Sequence, residues 1–279
     1  MWNKRKLLLA AGIFIALCYK ATGNREKPLD MAPNAVDSRY DGCREQALEK
    51  FIHSGLLEQE LNDNVLFQNT WKEEKCSDVI PGKTINHTKA QLAYTSVGTN
   101  FLKTFNNAVE TMGVNVSTYE NNFHFKSLHF LLMDSMTAMP SEKCKTVYAL
   151  PEEHYTAIKG SKVRLGRFII AHSDSKQMED LDGQVLLRIT SCFFANSMMN
   201  ICKKEDVILL SPAEVFTVED VQDITDEVAD TEYTEIFLKH SAISPSNKCY
   251  IFSRSPANAC SRWIVLVLVA LSLFTFFTC

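Results

Sequence analysis

The chain has 279 residues, of which 46% are apolar and 22% charged, and it carries a formal net charge of -4. These proportions lie near the globular average and exclude a disordered, collagen-like or multi-span membrane protein. The small negative charge and the lack of any basic block exclude a nucleic-acid surface, so no nucleic-acid partner is expected.

Lys4, Arg5 and Lys6 precede an apolar run from Leu7 to Cys18, and Ala21-Thr22-Gly23 follows with small residues at the spacing signal peptidase reads. Residues 1–23 are therefore read as a secretory signal peptide. Up to Cys144 the periodicity is helical. Ala47, Leu48, Phe51, Ile52, Leu56 and Leu57 form one apolar stripe, and a second helix is expected over about Thr88 to Val109. Ser117 with Glu120 reads as a capping box ahead of Phe123, Phe125, Leu128, Phe130, Leu131 and Leu132, which marks a third.

After Cys144 short β-rich runs take over: Thr146 to Leu150, Val163 to His172, Gln184 to Ser191, Val207 to Val218, Thr231 to His240 and Lys248 to Ser253. Helices first and strands afterwards imply an α+β fold rather than a repeating βαβ wind. The acidic stretch from Glu219 to Glu227 is expected to be a solvated loop.

The chain closes on Trp263 to Cys279, 17 uncharged residues with nothing after them, short of the roughly 20 that a bilayer span needs. Small residues precede this tail in Ser255-Pro256-Ala257-Asn258-Ala259-Cys260-Ser261, which favours a glycolipid (GPI) attachment signal, removed on processing, over a single-span anchor. Asn258 is the expected attachment residue, with Ser255 left open because the spacer before Trp263 is short. The organisation expected is a signal peptide over 1–23, one ectodomain over 24–258 that is helical in 24–143 and β-rich in 144–258, and a GPI propeptide over 259–279. The product would lie on the extracellular face of the plasma membrane, held to the membrane by its anchor.

Of nine cysteines, Cys18 leaves with the signal, and Cys260 and Cys279 lie in the tail. Cys43, Cys76, Cys144, Cys192, Cys202 and Cys249 remain, an even number on an oxidising route, with fifteen pairings open. No CxxC or Cys/His cluster with zinc spacing occurs, so disulfides rather than a metal are expected. Asn86-His87-Thr88 and Asn115-Val116-Ser117 are glycosylation sequons that suit the same compartment. His124 and His129, five apart on an expected helix, do not share a face and read as surface or core histidines. There is no GxSxG, HExxH, P-loop or GxGxxG.

Several segments resemble the vertebrate arginine-specific ecto-ADP-ribosyltransferases. They are Leu29-Asp30-Met31-Ala32-Pro33-Asn34-Ala35-Val36-Asp37 with Tyr40 and Cys43, Phe123 to Phe130, Thr146-Val147-Tyr148, Arg164-Leu165-Gly166-Arg167-Phe168, and Val207 to Phe216, running in family order. The resemblance implies a helical N-terminal part followed by two abutting, mostly antiparallel β-sheets around an NAD cleft. It also implies disulfides Cys43–Cys249 and Cys144–Cys192, leaving Cys76 and Cys202 available as a further pair. Active members move ADP-ribose from NAD to an arginine of a target protein with an Arg, a Ser and a Glu-x-Glu. The types suit the chemistry: an arginine fork grips the pyrophosphate, a serine orients the nicotinamide riboside, and a carboxylate stabilises the oxocarbenium-like sugar.

This chain departs from that pattern at each position. Tyr148-Ala149 stands where the family shows Tyr-Arg, and Phe168-Ile169-Ile170-Ala171-His172 stands for Phe-x-Ser-Thr-Ser, so Ile170 and His172 replace serines. Lys204-Glu205-Asp206 stands for Glu-x-Glu: Asp206 is one methylene short of reach, and Lys204 would repel an arginine target. Glu205 and Ser173 are one residue off register and on the other strand face, while Ser175 would need a bulge to arrive. A branch of the family with Leu-Ala-Tyr in its serine motif resembles Ile170-Ala171-His172. The expectation is a cell-surface relative with lost or much reduced transferase activity, which meets extracellular protein partners. The alternative is an active enzyme, a mono-ADP-ribosyltransferase or an NAD glycohydrolase, that uses Asp206.

Overall fold

The computed structural model describes residues 26–73, 77–95, 99–138, 141–178, 181–196, 207–226 and 231–244. The expected signal peptide, anchor signal and last strand lie outside these residues, as do Cys76, Cys202, Lys204, Glu205, Asp206, Cys249 and Asn258.

After a short strand at Lys27–Pro28, seven α-helices follow among the described residues: α1 Arg44–Leu48, which runs on through a π turn at Glu49–His53, α2 Leu56–Asp63, α3 Val65–Glu73, α4 Ile85–Thr95, α5 Thr99–Thr111, α6 Val116–Asn122 and α7 Lys126–Asp134. The stripe on α1 and α2 is buried at Ala47, Phe51 and Leu57, and Gly55, at φ 87°, takes the left-handed conformation that separates the two helices. The expected helix over 88–109 is helical up to Thr95 in α4 and again from Thr99 in α5, and residues 96–98 lie outside the described residues. The expected capping box is also displaced: Asn115 caps α6, its side chain accepting from the Thr118 backbone N–H at 2.9 Å, two residues before Ser117. Phe123 then turns extended, which ends α6 and buries both Phe123 and Phe125. The α7 N-terminus borrows its cap from α2, because the Glu60 carboxylate accepts from the Lys126 and Ser127 backbone N–H groups at 2.8 and 2.9 Å.

The strands are β1 Lys27–Pro28, β2 Thr137–Ala138, β3 Lys145–Ala149, β4 Tyr155–Thr156, β5 Lys162–Arg164, β6 Ile169–His172, β7 Val185–Ser191, β8 Phe193–Asn196, β9 Val207–Leu210, β10 Glu214–Asp226 and β11 Thr231–Ile243. β1 pairs with β4, and the other nine follow the order β2-β8-β9-β6-β3-β7-β11-β10-β5. Every pairing in that order is antiparallel except β7 with β11. One paired position alone, Tyr148 with His172, joins β3 to β6. The order therefore divides into two sub-sheets, β2-β8-β9-β6 and β3-β7-β11-β10-β5, joined at that one paired position, in the mostly antiparallel α+β architecture that the resemblance implied.

Alternation along the strands builds two cores. Val147, Ala149, Ile169, Ala171, Leu187, Ile189, Ile208, Leu210 and Phe216 lie between the sub-sheets. Ile170, Phe193, Ala195 and Leu209 point the other way, into an aromatic core with Phe51, Phe67, Phe101, Phe105, Phe125, Phe130 and Phe168 from the helical half. As far as Asp226, the acidic stretch expected as a loop is the distal half of β10. Val221 packs against the core between the sub-sheets, and pairing with β11 from Thr231 to Phe237 satisfies the backbone. Lys239 and Lys159 meet Glu219 and Asp220 at 2.8 and 3.0 Å on its surface.

The first of the quoted segments straps the two halves together. Arg164 on β5 pairs with buried Asp37 and donates to the carbonyls of Met31 and Ala32 at 2.7 and 2.8 Å. Tyr40, in the left-handed region at φ 59°, is 2% exposed, and its hydroxyl meets His129 Nδ1 at 3.0 Å while His129 Nε2 lies 2.8 Å from the Val36 carbonyl. A carbonyl only accepts, so Nε2 carries the proton and Nδ1 accepts from tyrosine. His129 is a satisfied core histidine and His124 is exposed.

Candidate functional site

Two of the three degenerate motif segments, Tyr148-Ala149 and Phe168–His172, lie on neighbouring strands, and β9 beside them begins one residue after Asp206 in the sequence. His172 at the end of β6 stands between Tyr148 of β3 and Val207 of β9 in one cross-strand row. Lys204 and Asp206 immediately precede Val207 in the sequence and lie outside the described residues. β6 runs in regular register with β9 from Ile169 to His172, so no bulge brings Ser173 or Ser175 onto it, and Ser175 begins a 3-10 turn beyond the strand.

Convergence of strands is not convergence of side chains. Ala149, opposite Leu187 of β7, is 1% exposed and faces the core between the sub-sheets. Ile170 is half-buried on the opposite face of its strand and packs on the helical core. His172 shares the Ile170 face by the two-residue period, and its Nδ1 lies 2.8 Å from Gln177 Oε1.

Beside Ile170 opens a cavity of about 260 Å³, walled by Tyr94, Leu102, Lys103 and Asn106 of α4 and α5 and by Leu150–Glu153 and Arg167–Ile170 from the ends of β3 and β6. Its inner wall is held by hydrogen bonds: the Tyr94 hydroxyl donates to the Phe168 carbonyl at 2.7 Å, and Asn106 donates to Tyr94 Oη at 2.9 Å. Burial pushes the Tyr94 hydroxyl well above its ordinary pKa, so it stays a neutral donor. The cationic groups on the wall are already matched. Arg167 is bidentate on Glu110 at 2.6 and 2.7 Å and also meets Glu153, while Lys103 meets Glu152 at 2.9 Å at the exposed mouth. Burial opposes the charge on Arg167, but its bonds to Glu110 outweigh it and hold the group firmly protonated. Two cations against two carboxylates, with Glu110 behind them, give no positive field for a pyrophosphate. The described residues do not fit NAD as the family binds it: Ala149 offers no donor and no access, and Ile170 is apolar.

A family model described as NAD:arginine ADP-ribosyltransferase matches residues 29–241. The chain belongs to that family. Human ecto-ADP-ribosyltransferase 4 is 26% identical over 203 residues, covering 68% of this chain and 64% of the relative, so the chain spans under two thirds of that protein's length. The mouse GPI-linked NAD(P)(+)--arginine ADP-ribosyltransferase 1 is 27% identical over 280 residues, covering 89% of this chain and 86% of its own. Among solved structures, the eukaryotic mono-ADP-ribosyltransferase ART2.2, in a mutant form complexed with NAD, matches with a TM-score of 0.57 and 25% identity over 79% of this chain and 96% of that one.

Two features escaped the sequence reading. One is the Arg167–Glu110–Glu153 wall, whose members are 57 and 14 residues apart. The other centres on Glu214, fully buried, which binds Ser191 Oγ, the Cys192 N–H and His240 Nδ1 at 2.5, 2.7 and 2.6 Å. A lone acid inside the otherwise uncharged run from Val207 to Val218 was the available signal, because an uncompensated carboxylate there would be costly. Beside it the structure forms the Cys144–Cys192 disulfide, and Cys43 is also disulfide-bonded. Asn86 lies half-buried in α4 with Thr88 fully buried after it, whereas Asn115 is exposed at a helix cap.

Proposed function

We propose that the chain is a cell-surface, GPI-anchored family member whose arginine ADP-ribosyltransferase activity is lost or much reduced, and which acts by binding or display. The observation that carries this is Ala149: the residue aligned with the family's phosphate-gripping arginine is sealed in the core between the sub-sheets. Ile170 in place of a serine, and a cavity whose charges already cancel, support the same reading. Family membership alone does not carry activity, since one fold hosts both working and silent sites. The surface location rests on the residues 1–23 and 259–279 patterns and on the printed name of the mouse GPI-linked relative. Asn86 and Asn115 are the proposed glycan carriers and Asn258 the proposed anchor residue, with Cys43–Cys249 and Cys76–Cys202 as proposed pairs.

The test is incubation of the purified ectodomain with labelled NAD and an arginine-rich acceptor, beside Asp206→Ala and an active relative. The expected result is label transfer at least 1,000-fold below the active relative, a loss of about 4 kcal/mol in transition-state stabilisation. Robust transfer that Asp206→Ala abolishes would establish the enzyme reading in its place. Release from cells by phosphatidylinositol-specific phospholipase C checks the anchor, and full resistance would overturn it.

A further inference from the structure

The Cys144–Cys192 disulfide covers a set of metal-binding groups. Cys192 Sγ, a Glu214 carboxylate oxygen and a His240 ring nitrogen all lie within 4.8 Å of one another, and Cys144 Sγ is bonded to Cys192. The three come from separate strands or turns: Cys192 between β7 and β8, Glu214 at the start of β10, and His240 on β11. Cys192 is 3% exposed and Glu214 fully buried, while the His240 side chain keeps 25% of its surface and so gives an entry path. The groups that would orient the ligands are in place as well. Ser191 Oγ and the Cys192 N–H fix the carboxylate at 2.5 and 2.7 Å, the kind of outer support that ligating carboxylates carry.

We propose that opening this disulfide creates a binding site for a thiophilic divalent cation, zinc above all, with Cys192, Glu214 and His240 as ligands and Cys144 as the fourth. While the disulfide is closed neither sulfur is a thiolate, and no thiolate ligand exists. A dithiol reductant opens it: two electrons and two protons pass to the cysteine sulfurs, and the reductant leaves as its own disulfide. The cation then displaces the thiol protons to solvent and takes the Glu214 oxygen now shared with His240. Ligand atoms around tetrahedral zinc stand about 3.5 Å apart, so the groups furthest apart, now up to 4.8 Å, draw in by roughly 1 Å while the Glu214 oxygen and His240 Nδ1, now 2.6 Å apart, open by a similar amount as the partly exposed imidazole shifts. The cation replaces one crosslink at the end of β7 with another that also ties in β10 and β11.

Cys144→Ser frees Cys192 in an otherwise oxidised protein and keeps three ligands. Cobalt(II) titrated into this variant is expected to bind one ion per chain, with thiolate-to-cobalt charge-transfer absorption. The wild-type disulfide form should show no such band. Adding His240→Ala should weaken binding at least tenfold, and Cys144→Ser with Cys192→Ser should abolish the band. A band untouched by His240→Ala would place the metal on other thiols and overturn the site. If Cys144→Ser lacks the wild-type circular dichroism, the wild-type chain is reduced with a phosphine, which does not supply a thiol. Absence of the band there would equally overturn the proposal.

Discussion

Ala149 follows Tyr148, whose pairing with His172 makes the β3–β6 joint, and the methyl groups of Ala149 and Ala171 both enter the core between the sub-sheets. Motif order locates Ala149, Ile170 and His172 in the sequence. Which way each side chain points does not follow from motif order, because facing depends on register and a one-residue slip inverts it. The burial at position 149 makes its loss of arginine hard to reverse. Ala149→Arg would drive a long guanidinium among Val147, Leu187 and Ala171, combining overpacking with burial of an unpaired charge. A loss of at least about 3 kcal/mol is expected, read from the urea midpoint at constant slope. Ile170→Ser, on the half-buried helix side, should cost only about 1–2 kcal/mol. A cost below about 1 kcal/mol for Ala149→Arg would mean that the side chain escapes into the neighbouring cavity, and the phosphate site could then be rebuilt.

At the scale of elements, α7 shows what periodicity carries and what it leaves out. Its apolar pattern made it legible as a helix, but both of its ends are set by residues far away in sequence. Glu60 caps the start, and Asp134 at the end collects Arg44 from α1 at 2.6 and 2.9 Å, His87 from α4 at 2.9 Å and Lys83 at 3.2 Å. Burial alone would raise the Asp134 carboxyl, but hydrogen bonds from His87 and Arg44 and the nearby Lys83 charge hold it far below the ordinary range. A carboxylate depressed in this way stabilises the fold above the unfolded-state pKa near 3.9, and that contribution fades as pH falls through the lower folded value. Asp134→Asn should therefore cost about 1–2 kcal/mol at pH 7, discounted because Arg44 is 42% exposed. The gap to wild type should narrow below about pH 4. Unfolding midpoints of both proteins at neutral and acid pH check this, and a gap independent of pH would show that the carboxylate is not charged in the fold.

The whole molecule raises the question of how many units it contains, because composition changes at Cys144 and could mark a domain boundary. The helical half does not close on itself. Phe193, Ala195, Leu209 and Ile170 from the β2-β8-β9-β6 sub-sheet complete its aromatic core, while the alternate residues of the same strands, Phe194, Ile208, Leu210 and Ile169, complete the core between the sub-sheets. One set of strands thus feeds both cores, and neither can be exposed without opening the other. We propose on this packing that the change of pattern marks a switch from helices to strands inside one unit, which the pairing of distant strands distinguishes from two domains. The expected behaviour is one cooperative transition. Trp71, the sole tryptophan between residues 24 and 258, is buried in the helical core and reports on that half by fluorescence. Far-ultraviolet circular dichroism carries the strand signal as well. In urea the two probes should share one midpoint and slope, and a fragment of residues 26–143 should stay unfolded because its apolar face lacks the sub-sheet that covers it. Separate midpoints, or a fragment that melts cooperatively on its own, would divide the chain at Cys144 after all.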